Sequence, residues 1–283
     1  MNLYAFADEA STWIDRQIEA MERNHLKGVE LRGVDEVNVS DISIEKAAEV
    51  RKKLDGHGLI TWSIGSPIGK IKLENDFGAE LDRLKHTVEV ANILGTDKIR
   101  MFSIRLPKGE DPSIYRNEVI DRVGAYLDVV EGSGVCLYHE NEKGIYGDSA
   151  ERCRDLFDVF PKLRGIFDPA NFVQCGVDTL KAWAMLKDRI SYMHIKDALP
   201  NGFVVPAGEG DGHVAEIVGE FIAKGGADFT IEPHLYTFDA LKTIEEKGGE
   251  TLLGQVRAFE TADEAFDFAC SAFRKLAEDQ AWK

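Results

Sequence analysis

The feature that most constrains how this chain can fold is a repeated alternation of short apolar runs with amphipathic segments. Helical spacing of apolar residues occurs, for example, over 12–24, 44–57, 76–94 and 114–132. Runs typical of β-strands lie at 3–7, 29–31, 59–64, 98–104, 135–138, 163–167, 190–195 and 228–231. Strands that alternate with helices build parallel sheets from βαβ units. Eight such units in a chain of 283 residues favour a closed barrel over an open doubly wound sheet. The sequence therefore predicts an α/β protein with a (β/α)8 TIM-barrel fold.

Residues that start and stop helices agree with this alternation. Ser11 and Asp41 precede helical segments and are predicted to cap them. Glycines stand just before four of the predicted strands, where a helix has ended and a left-handed residue is often needed: Gly28, Gly58, Gly95 and Gly134. The sequence has no Pro/Ser-rich linker and no low-complexity tract. We therefore predict a single domain over residues 1–283, in which 262–283 forms a C-terminal closing helix.

The charge and composition of the chain exclude some classes of binding partner. The net charge is −16, which repels phosphate backbones and argues against nucleic acid as a partner. No apolar run approaches the ~20 residues that cross a membrane, and we see no signal peptide, so we predict a cytoplasmic enzyme. The four cysteines include no CxxC pair and are predicted to be reduced core residues.

Carboxylate and imidazole side chains end the last four predicted strands. Glu140 follows the run 135–138, Asp168 lies in GIFDPAN, His194 in YMHIKD and Glu232 in FTIEPH. Because the carboxyl ends of barrel strands meet at one rim, we expect these four side chains to converge. Three carboxylates and one imidazole suit one divalent metal ion, Mn²⁺, Mg²⁺, Co²⁺ or Zn²⁺, and ligand softness does not choose among them.

Each of these residues also has a simpler structural interpretation. Glu140 would be a solvated loop residue, Asp168 a helix cap before Pro169, His194 a satisfied core histidine and Glu232 an ordinary rim carboxylate. The recurrence of such groups at matching strand ends favours the metal site.

The motifs HENEKGIYGD, FDPAN, HIKDA with PAGEGDG, and EPH resemble those of the xylose-isomerase-like TIM-barrel family of sugar (phosphate) isomerases and epimerases. The resemblance runs from Tyr4 to about Phe238. It implies that Glu140, Asp168, His194 and Glu232 hold the metal. Ketose 3-epimerases of that family often carry a histidine three residues after the aspartate, where this chain has Asn171. Members are often dimers or tetramers, so a homo-oligomer is open, although no sequence feature indicates an interface.

The chemistry that follows is proton removal next to a carbonyl. A divalent ion chelated by two sugar oxygens stabilises the enediolate, and Glu140 and Glu232 are the candidate bases. The sequence predicts a metal-dependent isomerase or epimerase of a keto-sugar or inosose. An acidic loop after the seventh strand favours a non-phosphorylated substrate. A leaving group β to the carbanion would make the same site a lyase or dehydratase acting on a keto-sugar or glycoside, which is the alternative.

Five further residues are candidates for substrate binding: Lys196, Glu209, Asn171, His234 and Arg32. Lys196 would bind a substrate hydroxyl or carboxylate, or position Glu209 of the PAGEGDG loop. His234 would orient Glu232 or contact substrate. His139 and Glu142 are weaker candidates.

Two other functions remain as alternatives. An abasic-site endonuclease needs three zinc ions and further histidines, which the ends of strands two to four do not offer. A non-catalytic sugar- or metal-binding member would lack a usable base, whereas both glutamates are present here.

Overall fold

The barrel predicted from the alternation is present. The computed structural model describes residues 1–236 and 257–282. A closed barrel of parallel strands is formed by β1 (Asn2–Ala5), β2 (Gly28–Leu31), β3 (Ile60–Ile64), β4 (Lys98–Met101), β5 (Cys136–Glu140), β6 (Arg164–Phe167), β7 (Ile190–Ile195) and β8 (Asp228–Ile231). Neighbours in sequence are neighbours in the barrel, and β1 closes it by pairing with both β2 and β8.

Helices connect the strands around the outside. They are α1 (Ile14–Arg23), α2 (Ile44–Gly56), α3 (Phe77–Leu94), α4 (Arg116–Val130), α5 (Ala150–Val159), α6 (Pro169–Gln174), α7 (Thr179–Leu186), α8 (Val214–Ala223) and α9 (Ala262–Asp279). Short antiparallel pairs follow β2 (Gly33–Val34 with Val37–Asn38) and β7 (Asp197–Ala198 with Val204–Val205). Over the described residues, no helix is both long and apolar enough to cross a bilayer.

Helix α9 occupies most of the predicted closing helix 262–283. Its Phe273 ring packs on Phe229 of β8, with 5.7 Å between ring centroids. Its N-terminal turn is tied to α1, because Arg23 forms ion pairs with Asp263 and Asp267. Lys283 lies outside the described residues, as does Phe238 at the end of the motif resemblance.

An aromatic layer fills the barrel interior below the polar strand ends. Tyr4 stacks on Trp62 at 4.4 Å, and Tyr192 meets the edges of Trp62 and Tyr138. Successive strand residues point to opposite faces, so Tyr138 shares the interior face with Glu140, two residues later, and Tyr192 shares it with His194. The interior is therefore a packed core with its polar groups at the C-terminal rim.

Strand ends differ from the predicted ones by up to three residues, and β5 and β4 show the consequences for the site. β5 extends to Glu140, two residues beyond the predicted end, so this carboxylate stands on the strand itself. β4 ends at Met101 instead of residue 104, because the following backbone bonds to the loop after β3. Phe102 N donates to Ile68 O at 2.8 Å, and Ile104 N donates to Gly69 O at 2.9 Å.

The predicted helix caps were wrong. The first amide of α1, Ile14 N, donates 3.0 Å to Asp35 Oδ1 from the loop after β2, and Ser11 caps nothing in the helix. Helix α2 is capped by Ser43, whose Oγ accepts from Lys46 N at 3.1 Å. A cap supplied from another loop leaves no local signature in the sequence.

Three of the four glycines before strands have the expected left-handed backbone. Gly95, for example, ends α3 at φ 76°, and Gly58 and Gly134 also have positive φ. Gly28 is required for a different reason. A Cβ on Gly28 would lie 2.0 Å from the carbonyl oxygen of Ile60, so close pairing of β2 with β3 excludes any side chain there.

Candidate metal centre

The structure brings the four predicted ligands together at the C-terminal rim. Glu140, Asp168, His194 and Glu232 each offer one donor atom, and these atoms all lie within 4.8 Å of one another. Glu140 ends β5, Asp168 directly follows β6, His194 lies in β7 and Glu232 directly follows β8. All four side chains are buried. The burial of Glu140 contradicts its interpretation as a solvated loop residue, and Glu232 is a buried carboxylate at the rim.

Asp168 combines the two roles that the sequence left as alternatives. Its Oδ1 accepts a hydrogen bond from Asn171 N at 2.9 Å and caps α6. Its Oδ2 is buried and has no hydrogen-bond partner, although Lys196 Nζ lies 3.1 Å away. Burial raises the pKa of Asp168 to about 7, with Glu232 and Glu140 adding to the shift and Lys196 opposing it. A buried carboxylate oxygen without a hydrogen bond is costly, and a cation would satisfy it.

His194 lies among carboxylates on both sides of its ring. Its Nδ1 is 2.9 Å from Glu140 Oε1 and 3.7 Å from Glu232 Oε2, and its Nε2 is 3.2 Å from Glu30 Oε2. Burial by itself would lower the pKa of His194, but Glu140 and Glu30 outweigh it and raise the pKa to about 10. Both ring nitrogens face carboxylates, which agrees with the predicted ligand role and also with a satisfied core histidine.

Three fixed cations hold the carboxylates in place. Arg100 Nη1 is 3.1 Å from Glu140 Oε2, and Lys196 Nζ is 2.9 Å from Glu232 Oε2. Arg32 Nη1 is 3.5 Å from Glu232 Oε1. These cations favour the ionised form of Glu140 and of Glu232 at neutral pH.

The pKa values of the two glutamates follow from this arrangement. Burial opposes ionisation of Glu140, but His194 and Arg100 lower its pKa to about 2. Burial likewise opposes ionisation of Glu232, and Lys196, followed by His234, holds its pKa well below the ordinary value. Both side chains are thus able to bind a cation or accept a proton.

The buried side chains around the cluster carry excess negative charge that a divalent cation would balance. The three cations, together with His194 and its raised pKa, face six buried carboxylates, which are Asp8, Glu9, Glu30, Glu140, Asp168 and Glu232. The excess is negative, and buried charge must be compensated. The donor set fits Mn²⁺, Mg²⁺, Co²⁺ or Zn²⁺.

A second group of possible ligands, Glu9, Glu232 and His234, adjoins the first. Arg32 already lies among these side chains, 3.3 Å from Glu9 Oε1 and bound to Asp8 through Nε and Nη2 at 2.8 and 3.0 Å. Its guanidinium supplies the positive charge that a second metal ion would bring.

Four of the five predicted substrate-binding residues touch this cluster: Lys196, through Asp168 and Glu232, and also Asn171, His234 and Arg32. Asn171 Nδ2 donates to Glu140 Oε1 at 3.2 Å. His234 contacts Glu9 at 2.7 Å through Nδ1, and its Nε2 is 3.7 Å from Glu232 Oε1. Arg32, which is only 4% exposed, lies 3.5 Å from Glu232 Oε1 and stacks over the Phe6 ring at 4.8 Å, so its contacts in the structure support the cluster.

Lys196 and Glu209 are separated in the structure. The Lys196 ammonium contacts Asp168 and Glu232, while the Glu209 side chain is exposed. The idea that Lys196 positions Glu209 therefore gains no support.

The PAGEGDG loop is instead organised by Asp197. The Asp197 carboxylate accepts backbone N–H groups at 2.8 to 3.0 Å from Ala198, Gly208, Gly210 and Gly212. A Cβ on Gly210 or Gly212 would approach Asp197 Oδ1 to 2.5 or 2.6 Å, which explains the glycine spacing.

The two weaker candidates of the HENE motif face elsewhere. His139 Nε2 is 2.9 Å from Ser103 Oγ, and its ring meets the edge of Phe157 in α5. Burial lowers its pKa to about 4. Glu142 forms an ion pair with Lys70 at 2.8 Å.

Sequence reasoning missed Glu30 and Arg100 as parts of the site. Both stand inside short apolar strands, GVEL and KIRM, and both are buried. A charge within a buried strand was the available signal, because such a charge needs a partner across the barrel.

One protein family shares sequence features with most of this chain. A sequence model of the xylose isomerase-like TIM barrel matches residues 18–249. No curated protein sequence gives a significant match.

Several solved structures share the fold. The probable 3-DHS dehydratase AsbF, involved in petrobactin synthesis in Bacillus anthracis, is 16% identical with a TM-score of 0.73, covering 97% of this chain and 99% of that one. The IOLI protein with a binding zinc atom is 16% identical with a TM-score of 0.72, covering 99% of both chains. D-Psicose 3-epimerase from Clostridium cellulolyticum H10, solved with D-tagatose, is 13% identical with a TM-score of 0.69, covering 98% and 99%. At these identities the likeness shows the fold alone.

Proposed function

The chain belongs to the xylose isomerase-like TIM-barrel family, and from that premise we propose that it is a divalent-metal-dependent sugar isomerase or epimerase. Its substrate would be a non-phosphorylated keto-sugar or inosose that loses a proton α to its carbonyl. The observation that carries the proposal is the convergence of four donor atoms within 4.8 Å. Asp168 Oδ2 supports it, because this buried oxygen accepts no hydrogen bond and has the Lys196 ammonium at 3.1 Å as its described ion-pair partner, so a bound ion would add the missing ligation.

Glu140, Asp168, His194 and Glu232 would hold the metal. When bound, a divalent ion polarises the substrate carbonyl and stabilises the negative charge left by proton removal. Arg100 and Lys196 keep Glu140 and Glu232 ionised and in place. The proposal thus assigns the neighbouring cations a supporting role.

Proton transfer falls to the two glutamates. They stand on β5 and directly after β8, three strands apart, and reach the cluster from different parts of the rim. Removal by one glutamate and return by the other on the opposite face of the carbon epimerises the substrate. Return by one glutamate to the neighbouring carbon isomerises it.

Lys196 is the proposed contact for the substrate's polar groups. Burial opposes its charge, but Asp168 and Glu232 raise its pKa well above the ordinary value, so its ammonium remains an N–H donor. It would donate to a hydroxyl or carboxylate of the substrate near the metal.

Elimination is the second candidate outcome. A substrate with a leaving group β to the carbanion would lose it after the same proton removal, and AsbF, which shares the fold, is described as a probable dehydratase. The partner in either case is a small carbohydrate. A nucleic-acid substrate is disfavoured by the net charge of −16.

The test is proton exchange in D₂O. Metal-stripped protein would be reloaded with Mn²⁺, Mg²⁺, Co²⁺ or Zn²⁺ and incubated with ketoses, inososes and keto-glycosides. NMR would then identify the carbon that exchanges. An epimer, an aldose–ketose pair or a dehydrated product distinguishes the three outcomes.

Variants distinguish the loss of a catalytic base from the loss of metal binding or of folding. Glu140→Gln and Glu232→Gln should abolish exchange, and metal analysis of each purified variant shows whether the ion is still bound. Glu131→Gln is the matched control, since its side chain is 71% exposed beside Lys162. Exchange retained in both active-site variants, or no exchange with any substrate and metal, would refute the proposal.

A further inference from the structure

We propose that Glu30 is a positioning residue of the metal centre, which accepts a hydrogen bond from His194 Nε2–H and thereby directs Nδ1 toward the other ligands. The inference rests on the proposed function in one respect: it takes the cluster to bind a divalent ion. No substrate or reaction needs to be assumed.

The surroundings of Glu30 show that it is built into the barrel interior. The residue lies on β2 and is fully buried. Its Oε1 accepts from the Tyr192 hydroxyl at 2.9 Å. Its Oε2 accepts from Thr230 Oγ1 at 2.8 Å and lies 3.2 Å from His194 Nε2. Three polar groups from two other strands thus meet one carboxylate.

The direction of these hydrogen bonds identifies the proton on His194. The Tyr192 hydroxyl donates to Glu30 Oε1. The Thr230 hydroxyl also donates to Glu30. An ionised carboxylate offers only acceptor positions, so Nε2 of the imidazole must carry a proton to bond with it.

The hydrogen bond at Nε2 also determines the role of the other ring nitrogen, Nδ1. With no ion bound, Nδ1 also faces a carboxylate oxygen, Glu140 Oε1 at 2.9 Å, and carries a proton toward it. A divalent ion would replace that Nδ1 proton, whereas the proton on Nε2 stays in its hydrogen bond to Glu30, so the lone pair used for ligation lies on Nδ1. Nδ1 is the nitrogen that faces two of the other ligands, Glu140 at 2.9 Å and Glu232 at 3.7 Å. A carboxylate behind a ligating histidine fixes its tautomer and ring orientation, and losing it typically costs about 10–100-fold in metal affinity.

The first measurement is the metal affinity of Glu30→Gln. Gln has nearly the same shape but loses the charge and replaces one acceptor with an N–H₂ donor, which cannot accept from the hydroxyls or the imidazole. Dissociation constants for Zn²⁺ and Mn²⁺ would be measured on metal-stripped protein by competition with a chelator. We expect about 10–100-fold weaker binding than wild type.

The matched controls remove the other donors to Glu30. Tyr192→Phe and Thr230→Val each delete one hydroxyl and leave the contact between Glu30 and His194 intact. We expect their metal affinity to stay within about threefold of wild type, well below the expected effect of losing the supporting carboxylate. An equal loss in all three variants would mean that the packing of the interior matters and Glu30 itself does not.

The second measurement reads the tautomer directly and needs no variant. In ¹⁵N-histidine-labelled wild type loaded with Zn²⁺, His194 should show a protonated Nε2 and a metal-bound Nδ1. The signal is assigned by its loss in His194→Asn. Zinc on Nε2 would overturn the inference even if Glu30→Gln failed to fold.

The outcomes also separate the two proposals. If wild type binds Zn²⁺ tightly and Glu30→Gln binds it within threefold, the role of Glu30 is wrong and the metal site stands. If wild type binds no divalent ion, the proposed function fails, and the role of Glu30 fails with it.

Discussion

Replacing Lys196 with methionine tests how the carboxylates of the centre are held together. The Lys196 ammonium is 2.9 Å from Glu232 Oε2 and 3.1 Å from Asp168 Oδ2, and the residue is 5% exposed. Methionine keeps much of the volume of the side chain and removes the charge. The two carboxylates would then lose the cation between them, so we expect the metal-free protein to be destabilised.

The size of the effect follows from the burial. Removing one member of a buried ion pair costs about 3–5 kcal/mol, because the remaining charge has no partner. For 283 residues, an unfolding entropy of about 2.1 cal/mol/K per residue gives roughly 0.6 kcal/mol/K, so the melting temperature should fall by about 5–8 °C.

The loss of stability in Lys196→Met should be smaller at pH 6 than at pH 8. In wild type, burial raises the pKa of Asp168 to about 7 although Lys196 opposes the shift. Without Lys196 this pKa should rise further, so Asp168 in the variant takes up a proton as the pH falls and one of the repelling charges is removed.

The assay is thermal unfolding of metal-stripped and metal-loaded protein, followed by circular dichroism at pH 6 and pH 8. Lys224→Met is the matched control. That lysine pairs with Asp188 at 2.8 Å, but both side chains are exposed, so the change should cost at most about 1 kcal/mol. Metal should restore part of the Lys196→Met loss, because the ion supplies positive charge to the same two carboxylates.

Two results would refute this reasoning. A metal-free Lys196→Met protein that melts within about 2 °C of wild type would show that the ammonium does not hold the carboxylates, since about 5 °C or more is expected. An equal loss in Lys224→Met would show that the effect is not specific to the buried pair.

Three further predictions concern the scaffold around the centre. Asp197→Asn should increase hydrogen exchange across 206–212, measured by mass spectrometry, because an amide replaces a carboxylate that accepts four backbone N–H groups. Gly28→Ala should prevent soluble expression or cost several kcal/mol in urea unfolding, because its Cβ would lie 2.0 Å from a neighbouring carbonyl oxygen. Asp35→Ala should cost about 1 kcal/mol through loss of the α1 cap, whereas Ser11→Ala should change the urea midpoint very little; equal effects would contradict that assignment.

The barrel was predictable because its signal is local and repeated. Each βα unit carries its own apolar strand and amphipathic helix, so an error in one unit leaves the other seven intact. Strand ends were less predictable, as β4 and β5 show. Their limits depend on hydrogen bonds to other loops, such as Phe102 N to Ile68 O.

The four candidate ligands were predictable for a related reason. Glu140, Asp168, His194 and Glu232 each stand at the end of a strand, and parallel strands of a barrel end at one rim. Their approach to within 4.8 Å follows from that topology. Their role as ligands remains a proposal that metal binding must test.

The order of strands and helices, and the rim at which polar groups gather, could be predicted from residue order, since both depend on periodicity along the chain. Which groups face each other across the barrel is a property of the closed fold. His194 and Glu30 are 164 positions apart, and Arg32 and Glu232 are 200 positions apart. Alternation of side chains along a strand shows which residues point into the barrel. Barrel closure and strand tilt then determine which side chain on another strand each of them contacts.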